Sequence, residues 1–400
     1  MKKVKVVAIA FAITLVLITF TAQPVAAASR YDSLRSYVNS RYDAVRGGYN
    51  IPGEGVARVD PTYGAISVMN ETGTLENRPP PVTIVDVLDF LVTHQWTTGN
   101  PDDEPRYGGF MEYLLGPITN GGNYRALVTW QTLKAQDDIP GTESYDINAT
   151  ANLVWINKTQ ADSGGFSADS EGTYPDLIST AYALMSIRII DTMYSLENAW
   201  DWLRNETATI EYIESCKDGD GYKLSPISNR AGVSATAAAV LAYNALDPQA
   251  SIPEAGSIQS WLASRQIMDY EEEELIGGFE EAVSTTDPNL RSTYFALSAL
   301  NILNTLSTIN ATAAENFILN CQSEDGSFGI IPELSTGTLV QSGYACEILN
   351  MPGFSGAYDS LSSSTDPYSS SDPGFEWRMV LVIGIIVVAL VLAVLSVRHD

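Results

Sequence analysis

Apolar residues recur every three or four positions in five segments of the chain, and polar or glycine-rich stretches separate these segments. This spacing places the apolar side chains on one face of an α-helix. The five segments are 82–95, 148–160, 200–216, 258–266 and 312–321. No segment is rich in the residues of a β domain. The pattern therefore predicts an all-α protein.

A glycine-rich turn that ends in an aromatic residue follows each of these segments, and one more copy lies nearer the N-terminus. Successive aromatic residues are 61, 56, 56, 57 and 49 positions apart; they are Tyr49, Phe110, Phe166, Tyr222, Phe279 and Phe328. Nearly constant spacing over six copies indicates a repeat architecture. Each unit is predicted to be a helix, a glycine-aromatic turn, an extended loop and a second helix, because glycine permits positive φ where a helix ends.

Two of the turns also carry a glutamine four positions before a glycine and six before the aromatic residue. In one unit these residues are Gln160, Gly164 and Phe166, and the other unit has the same spacing from Gln322. This arrangement resembles the repeat of squalene and terpene cyclases, with Phe in place of Trp, and the related repeat of protein prenyltransferase β subunits. The resemblance covers about residues 30–350. It implies that six helical hairpins close into an α/α toroid whose inner helices line a central cavity. An open helical solenoid is the alternative.

The residues that carry the chemistry of that family are missing from the matching positions. Prenyltransferases bind zinc through Asp-x-Cys and a later His, but the matching stretch 290–294 has neither Asp nor Cys, and Gln341 stands near the place of the histidine. The cyclase Asp-x-Asp-Asp is approached only by 101–104, for which a solvated loop is favoured. His94 and His399 are the only histidines, which excludes a multi-histidine site. We therefore predict neither a bound metal nor a cofactor.

Aromatic and arginine side chains recur where the inner helices are predicted to begin. Because helix N-termini carry unpaired N–H groups that favour anions, we expect a ligand to enter at this end of the ring. The arginines could meet an anionic head group or pair with carboxylates of the rim, and the aromatic residues could equally be packing core. The candidate ligand-binding residues are Tyr63, Tyr124, Arg125, Tyr182, Arg291, Phe295, Gln341 and Tyr344.

Acidic residues dominate the charge of the chain. Asp and Glu number 48 and Lys and Arg 22, which gives a net charge of −26. Such a surface repels phosphates, so nucleic acid is excluded as a partner. Acidic turns such as 218–221 lack the full ligand set of a calcium loop, and a solvated acidic rim is the favoured interpretation. The partners left are the membrane and a small apolar ligand, a glycan or a surface protein.

Apolar runs at both ends of the chain predict its topology. Residues 1–28 have the basic start, apolar stretch and small residues of a signal peptide, and an uncleaved anchor is the alternative. Residues 379–397 form an uncharged apolar run that is long enough to span a bilayer, with Trp377 at the interface. The predicted parts are then the signal peptide 1–28, the extracytoplasmic toroid 29–354, a Ser/Asp/Pro-rich stalk 355–376, the transmembrane helix 377–397 and a cytoplasmic stub 398–400.

An extracytoplasmic domain is open to two covalent modifications. Cys321 and Cys346 fall in one predicted hairpin, so we expect a disulfide between them and a free thiol at Cys216. Five Asn-x-Ser/Thr sequons are candidates for glycosylation. They begin at Asn70, Asn148, Asn157, Asn205 and Asn310.

The sequence thus predicts a membrane-anchored cell-surface toroid that binds a ligand or a partner. Binding is favoured because each diagnostic catalytic motif is missing. The alternative is an enzyme that acts in the toroid cavity by prenyl transfer, terpenoid cyclisation or glycan cleavage. The fold alone does not decide between binding and catalysis.

Overall fold

The structure is a computed structural model that describes residues 27–369, except 79–80, 137–140, 195, 197–198, 283–286 and 335. Residues 1–26 of the predicted signal peptide and the whole predicted transmembrane helix lie outside these residues. Within the part of the chain that is described, no helix is both long enough and apolar enough to cross a membrane.

Twelve helices alternate between an outer and an inner layer. The outer helices are α1 Arg30–Ser40, α3 Ile84–His94, α5 Ala149–Thr159, α7 Glu206–Ser215, α9 Ala255–Ala263 and α11 Ala311–Asn320. The inner helices are α2 Val59–Glu71, α4 Asn120–Lys134, α6 Leu177–Tyr194, α8 Val233–Leu246, α10 Leu290–Ile302 and α12 Leu339–Leu349. Short 3-10 helices lie at Thr142–Ser144, Ala199–Trp202, Glu273–Leu275 and Leu306–Thr308.

The inner helices form a closed ring. Each packs against the next in chain order, and α12 packs against α2. Inner helices such as α8 are apolar around most of their circumference because neighbours cover them on several sides. An open solenoid would keep its first and last helices apart, so that alternative is wrong and the predicted α/α toroid is confirmed.

Each glycine-aromatic turn forms a small antiparallel sheet or a pair of single bridges. One sheet contains β1 Tyr42–Asp43, β2 Gly48–Asn50 and β3 Ala57–Arg58, and the other contains β4 Lys217–Asp218, β5 Gly221–Lys223 and β6 Ala231–Gly232. Tyr49 pairs with Tyr42 and Arg58, and Tyr222 pairs with Lys217 and Gly232. The remaining turns keep only bridges, as at Phe166, which pairs with Gln160 and Asp176.

The aromatic residue of each turn is tied to the inner helix that follows. Its backbone N–H donates to a side-chain oxygen 13 or 14 residues later, in the first turns of that helix. The six pairs are Tyr49–Thr62 at 2.9 Å, Phe110–Asn123 at 3.4 Å, Phe166–Thr180 at 3.0 Å, Tyr222–Thr236 at 2.9 Å, Phe279–Thr293 at 3.0 Å and Phe328–Ser342 at 3.1 Å. The recurring Ser, Thr and Asn therefore satisfy a buried backbone donor, which would be costly to leave unpaired.

Two turn glycines show why this position excludes a side chain. Gly108 has φ +97°, and a Cβ there would lie 1.7 Å from the carbonyl oxygen of Ala151 in α5. Gly326 has φ +87°, and its Cβ would lie 2.4 Å from the oxygen of Ser33 in α1. The same close approach thus joins one repeat to the next and the last repeat to the first.

Glutamines after the outer helices make the second link between repeats. The Gln160 amide donates to the oxygen of Gly164 at 3.2 Å and to Thr209 at 2.9 Å, and it accepts from the N–H of Arg204 at 2.8 Å. Gln95 and Gln266 bind the next outer helix in the same way, across longer loops. Sequence spacing identified two such glutamines; the structure shows four.

The start of the predicted stalk is folded onto the ring. Helix α13, Ala357–Ser363, packs against α1 and α12, and Ala357 and Leu361 are fully buried. Asp366 is also buried; it accepts from the Ser33 hydroxyl at 2.5 Å, and its N–H donates to the oxygen of Ala28 at 3.0 Å. The stalk prediction is therefore wrong for the described residues, because two apolar residues four positions apart suffice to dock a short helix. Residues 370–376 lie outside the described part.

The predicted disulfide is not formed. Cys216, Cys321 and Cys346 are all free and buried. Cys321 follows the last residue of α11, whereas Cys346 is the eighth residue of α12, about 10 Å along the axis from its start. Burial raises the pKa of both thiols, which pack as small apolar side chains.

Candidate functional site

Five tyrosines from five inner helices fill the interior of the ring. Two pairs are stacked, Tyr294 on Tyr344 with ring centroids 4.0 Å apart and Tyr124 on Tyr182 at 5.1 Å, and Tyr63 meets Tyr344 edge-on at 6.5 Å. We call these five residues the tyrosine plug. Burial raises the pKa of Tyr63 and Tyr294 well above that of a free phenol, so these two hydroxyls stay protonated. Four of its members are among the predicted ligand-binding residues.

Arg125 is committed to this plug. Its guanidinium donates to Asp60 Oδ2 at 2.6 Å and to the Tyr344 hydroxyl at 3.0 Å. It also lies 5.9 Å from the ring centroids of Tyr63 and of Tyr182. Of the two alternatives that the sequence left open for this arginine, the structure shows the ion pair with a carboxylate.

Asp60 and Glu112 form a carboxyl pair that the sequence analysis did not find. Glu112 Oε1 accepts the backbone N–H of Asp60 at 3.3 Å, and its carbonyl oxygen accepts the N–H of Val59 at 2.9 Å. Burial, and then the charge of Asp60, raise the pKa of Glu112 to about 8. The raised pKa favours the protonated form of Glu112 near neutral pH, next to the Asp60 side chain that pairs with Arg125.

The N–H groups at the starts of the inner helices have partners. In five inner helices, the backbone N–H of the first residue donates to a carbonyl oxygen in the glycine-aromatic turn of the next repeat. The acceptor is always the second residue after the aromatic residue of that turn. The pairs are Val59–Glu112, Asn120–Ala168, Leu177–Leu224, Val233–Glu281 and Leu290–Ile330. Side chains of Thr119, Asn289 and Thr338 cap the next donors. Most of the first and third N–H groups of the inner helices are therefore paired, which leaves fewer donors for an anion than the sequence suggested.

An open cavity of about 1160 Å³ lies where α6, α8 and α10 begin. We call it the mouth cavity. Its apolar wall is formed by Ile178, Leu224, Ile267, Ile330 and Ile331, and its polar wall by Arg230, Tyr270, Glu280, Glu281, Asp287 and Arg291. A pocket with an apolar lining and a few convergent polar groups is the usual form of a small-molecule site.

The carboxylates of the mouth cavity are held by other groups, whereas its arginines are not. Glu281 accepts from the N–H and hydroxyl of Ser234 at 3.0 and 2.6 Å, Glu280 pairs with Arg265 at 3.0 Å, and Asp287 accepts from the Tyr270 hydroxyl. Arg230 and Arg291 are exposed, and neither forms an ion pair with a carboxylate of the described residues. Arg291 lies 5.7 Å from the ring centroid of Phe295, and both arginines line the cavity without an ion pair among the described residues.

Two of the predicted ligand-binding residues, Phe295 and Gln341, lie in neither the plug nor the mouth cavity, and neither does His94. Phe295 is 1% exposed and belongs to the core, and its neighbour Tyr294 takes the place in the plug. Gln341 caps α12 with Thr338. His94 is buried, and its Nδ1 lies 2.7 Å from the oxygen of Phe90, where burial lowers its pKa. None of the three side chains lines the mouth cavity.

Aspartate side chains in the acidic turns accept hydrogen bonds from nearby backbone N–H groups. Asp218 accepts from the N–H of Ala231 at 3.0 Å, and Asp325 accepts from the N–H of Ser327 at 3.0 Å. In the described part of the chain, no three His, Cys, Asp or Glu side chains are grouped as metal ligands. These aspartates stabilise turns, which favours the solvated-rim interpretation.

Three of the five sequons begin at the N-caps of outer helices. The side-chain oxygens of Asn148, Asn205 and Asn310 each accept a hydrogen bond from the backbone N–H three residues later, at 2.9, 3.0 and 3.0 Å. The fold therefore requires an N-cap residue at these positions independently of any glycan. Asn70 is exposed on α2, whereas the amide nitrogen of Asn157 donates to the oxygen of Trp202 at 2.5 Å.

Solved structures of enzymes share this fold. Protein geranylgeranyltransferase-I of Candida albicans, complexed with GGPP, has a TM-score of 0.59 at 17% identity, with 80% of this chain and 90% of that one covered. A glycosidase has a TM-score of 0.57 at 11% identity over 83% and 96% of the chains. The GH76 α-mannanase of Bacteroides thetaiotaomicron has a TM-score of 0.55 at 9% identity over 82% and 95%. These identities show a common fold alone.

The sequence itself identifies the family. A comparison with curated proteins found no match. The profile of the prenyltransferase alpha-alpha toroid domain, however, matches residues 121–199 and 189–349, which together make up more than half of the chain. With the six hairpins and their closed ring, this match shows that the chain belongs to the prenyltransferase α/α-toroid family.

Proposed function

We propose that the protein is a membrane-anchored, extracytoplasmic toroid that binds an amphipathic anion in the mouth cavity. One observation carries the proposal. Arg230 and Arg291 face an open cavity without a carboxylate partner among the described residues, beside a wall of branched apolar side chains. The end of the ring is the one expected from sequence, but the attracting groups are arginines rather than helix N-termini.

The chemistry of the cavity fits such a ligand. Guanidinium groups bind carboxylates and phosphates through paired hydrogen bonds. The nearby carboxylates have partners of their own, because Glu281 accepts from Ser234, Glu280 pairs with Arg265 and Asp287 accepts from Tyr270. None of these three carboxylates forms an ion pair with Arg230 or Arg291. Burying an apolar chain against Ile178 and Ile330 adds about 25 cal/mol per Å². GGPP, bound by the similar geranylgeranyltransferase, combines an anionic and an apolar part and is a suitable probe.

Calorimetric titration with GGPP tests the proposal. We expect Arg230→Ala and Arg291→Ala each to weaken binding about tenfold or more, because each removes a charge-assisted hydrogen bond. Arg35→Ala, at an exposed position of α1, is the matched control and should bind like the wild type. Inorganic diphosphate and the uncharged alcohol of the same chain should each bind more weakly than GGPP. Equal affinity of both cavity variants and the wild type would refute the proposal.

The membrane topology needs its own experiment. The full chain should sediment with membranes, and a chain that ends at residue 369 should be secreted. N-terminal sequencing of the secreted form should begin at Ser29 if the signal peptide is cleaved. Recovery of the full chain as a free protein in the cell interior would contradict the proposed anchor.

A second candidate function is catalysis, and the Asp60–Glu112 pair supports it. A carboxyl group that is protonated at neutral pH can act as a general acid, as cyclisation or glycan cleavage would require. Prenyl transfer gains no support from this pair. Incubation with oligosaccharides and with linear isoprenoids, followed by product analysis, tests this function. Activity that Glu112→Gln abolishes would establish the enzyme; absence of turnover on both classes leaves binding as the function.

A further inference from the structure

A second cavity lies on the other side of the tyrosine plug from the mouth cavity. Its volume is about 220 Å³, and it extends along α2 and α4 toward their C-terminal ends. Its walls are Tyr63, Ile66, Ser67, Asn70, Glu71, Tyr124, Val128, Thr129, Thr132 and Glu347. Since liquid water occupies about 30 Å³ per molecule, the cavity has room for roughly seven waters or one small organic molecule.

Glu347 contributes a half-buried carboxyl group to this cavity. Its Oε1 accepts hydrogen bonds from the Tyr63 hydroxyl at 2.7 Å and from the Ser67 hydroxyl at 2.6 Å. No Lys or Arg of the described residues forms an ion pair with it. Burial raises its pKa, and the hydroxyls of Ser67, Tyr63 and Tyr294 oppose this effect. The fold thus retains a carboxyl group that neutral donors solvate and no cation balances.

The other walls complement a cation as well. Tyr63 and Tyr124 contribute aromatic rings, and an aromatic face attracts an ammonium group through its quadrupole. Glu71 adds a second carboxylate near the end of α2, and no lysine or arginine lines the cavity. A bare metal ion is a poorer fit, because the described residues include no group of three His, Cys, Asp or Glu side chains placed to hold one.

We propose that this cavity binds a small organic ammonium ion, with Glu347 as its counter-charge and Tyr63 and Tyr124 as its aromatic walls. The inference is independent of the proposed anion site, because the two cavities share no lining residue. The plug gives the ring two separate chambers of opposite charge preference. The mouth cavity is lined by two arginines and by carboxylates that have other partners, whereas the smaller cavity is lined by Glu71 and Glu347 and by no lysine or arginine.

Calorimetry with choline as the probe tests this site, with 3,3-dimethyl-1-butanol as an uncharged molecule of the same shape. The protein should carry Asn70→Gln, since a glycan at this predicted sequon would lie at the cavity. We expect choline to bind about tenfold or more tightly than the alcohol, because cation–π and charge attraction add more than about 1.4 kcal/mol. Equal binding of the two probes, or no binding of choline, would overturn the proposal.

Variants locate the site. Glu347→Gln keeps the shape and removes the charge, so we expect it to reduce choline affinity about tenfold or more, to the level of the alcohol. Thr132→Arg adds a positive charge to the cavity wall without touching Glu347, and should weaken choline similarly; Thr132→Gln is its neutral control. Thermal melts confirm folding of each variant. Wild-type affinity in both charge variants would place choline elsewhere and refute the assignment.

Discussion

The two sides of the ring interior differ in how their side chains fill the space between the inner helices. On the side of α2, α4 and α12, Tyr63 and Tyr344 fill the space and Arg125 is paired with Asp60. On the side of α8, the positions after the hydrogen-bonding Thr236 are alanines, and an open cavity with unpaired arginines lies at the helix start. The difference lies in the side chains that the helices direct inward: five inner helices contribute a tyrosine to the plug, whereas α8 has alanines after Thr236.

The alanines of α8 let neighbouring helices approach closely, but their side chains are too short to fill the interior of the ring. Ala237 and Ala238 are fully buried, and α8 packs tightly against α6 and α10. Tyrosines at the equivalent positions of α2, α4 and α10 must reach the interior. The closed side should therefore contribute to stability, and the open side should contribute to binding.

The largest expected effect is the loss of a plug tyrosine. Tyr344→Ala removes the ring stacked on Tyr294 and the hydroxyl that binds Arg125, and should lower the free energy of unfolding by about 3–5 kcal/mol. Tyr270→Ala, on the open side, is the matched control and should cost less than about 1 kcal/mol because Tyr270 is exposed. Urea titration measures both. Similar losses would remove the distinction between the two sides.

Breaking the ion pair of the closed side comes next. Arg125→Met leaves Asp60 without its partner in a half-buried place, and should cost about 2–3 kcal/mol in urea titration. The double variant Arg125→Met, Asp60→Asn removes both charges and should recover part of this loss. A single variant as stable as the wild type would show that the pair contributes nothing.

The carboxyl pair predicts a pH dependence. The pKa of Glu112 rises from 4.5 when unfolded to about 8 when folded, so its contribution to stability is complete below pH 4.5 and is lost as pH rises to 8. Between pH 5 and 8 the wild type should lose on the order of 1–3 kcal/mol more than Glu112→Gln. Glutamine keeps the oxygen that accepts the Asp60 N–H, which isolates the titration. Parallel stability curves for the two proteins would contradict the raised pKa.

The smallest effect on stability is expected on the open side. Arg230→Ala and Arg291→Ala should each change the free energy of unfolding by no more than about 0.5 kcal/mol, because both side chains are exposed and neither forms an ion pair with a described residue. The same two variants are the ones expected to lose ligand binding. A large destabilisation would mean that the arginines hold the ring together and that the cavity is a by-product of folding.

Local chemistry that recurs six times could be predicted from the sequence. Phe110 has a buried aromatic counterpart in every unit, and Gly108 has a glycine counterpart in all units but one, where Asp220 stands instead. Single-position decisions could not be predicted. Phe295 and Tyr294 are adjacent, and a helix turns about 100° between them, so only the packing of α10 decides which one enters the plug.

The sequence by itself determined the repeat, the two-helix unit and the number of hairpins, because helical periodicity and turn chemistry are local. The tertiary structure alone decided which charges are free. Glu112 and Asp60 are 52 positions apart, and Arg125 and Tyr344 are 219 positions apart, yet the closed ring brings all four together. Whether an arginine is paired with a carboxylate or left to face a ligand depends on contacts between repeats, which no local pattern encodes.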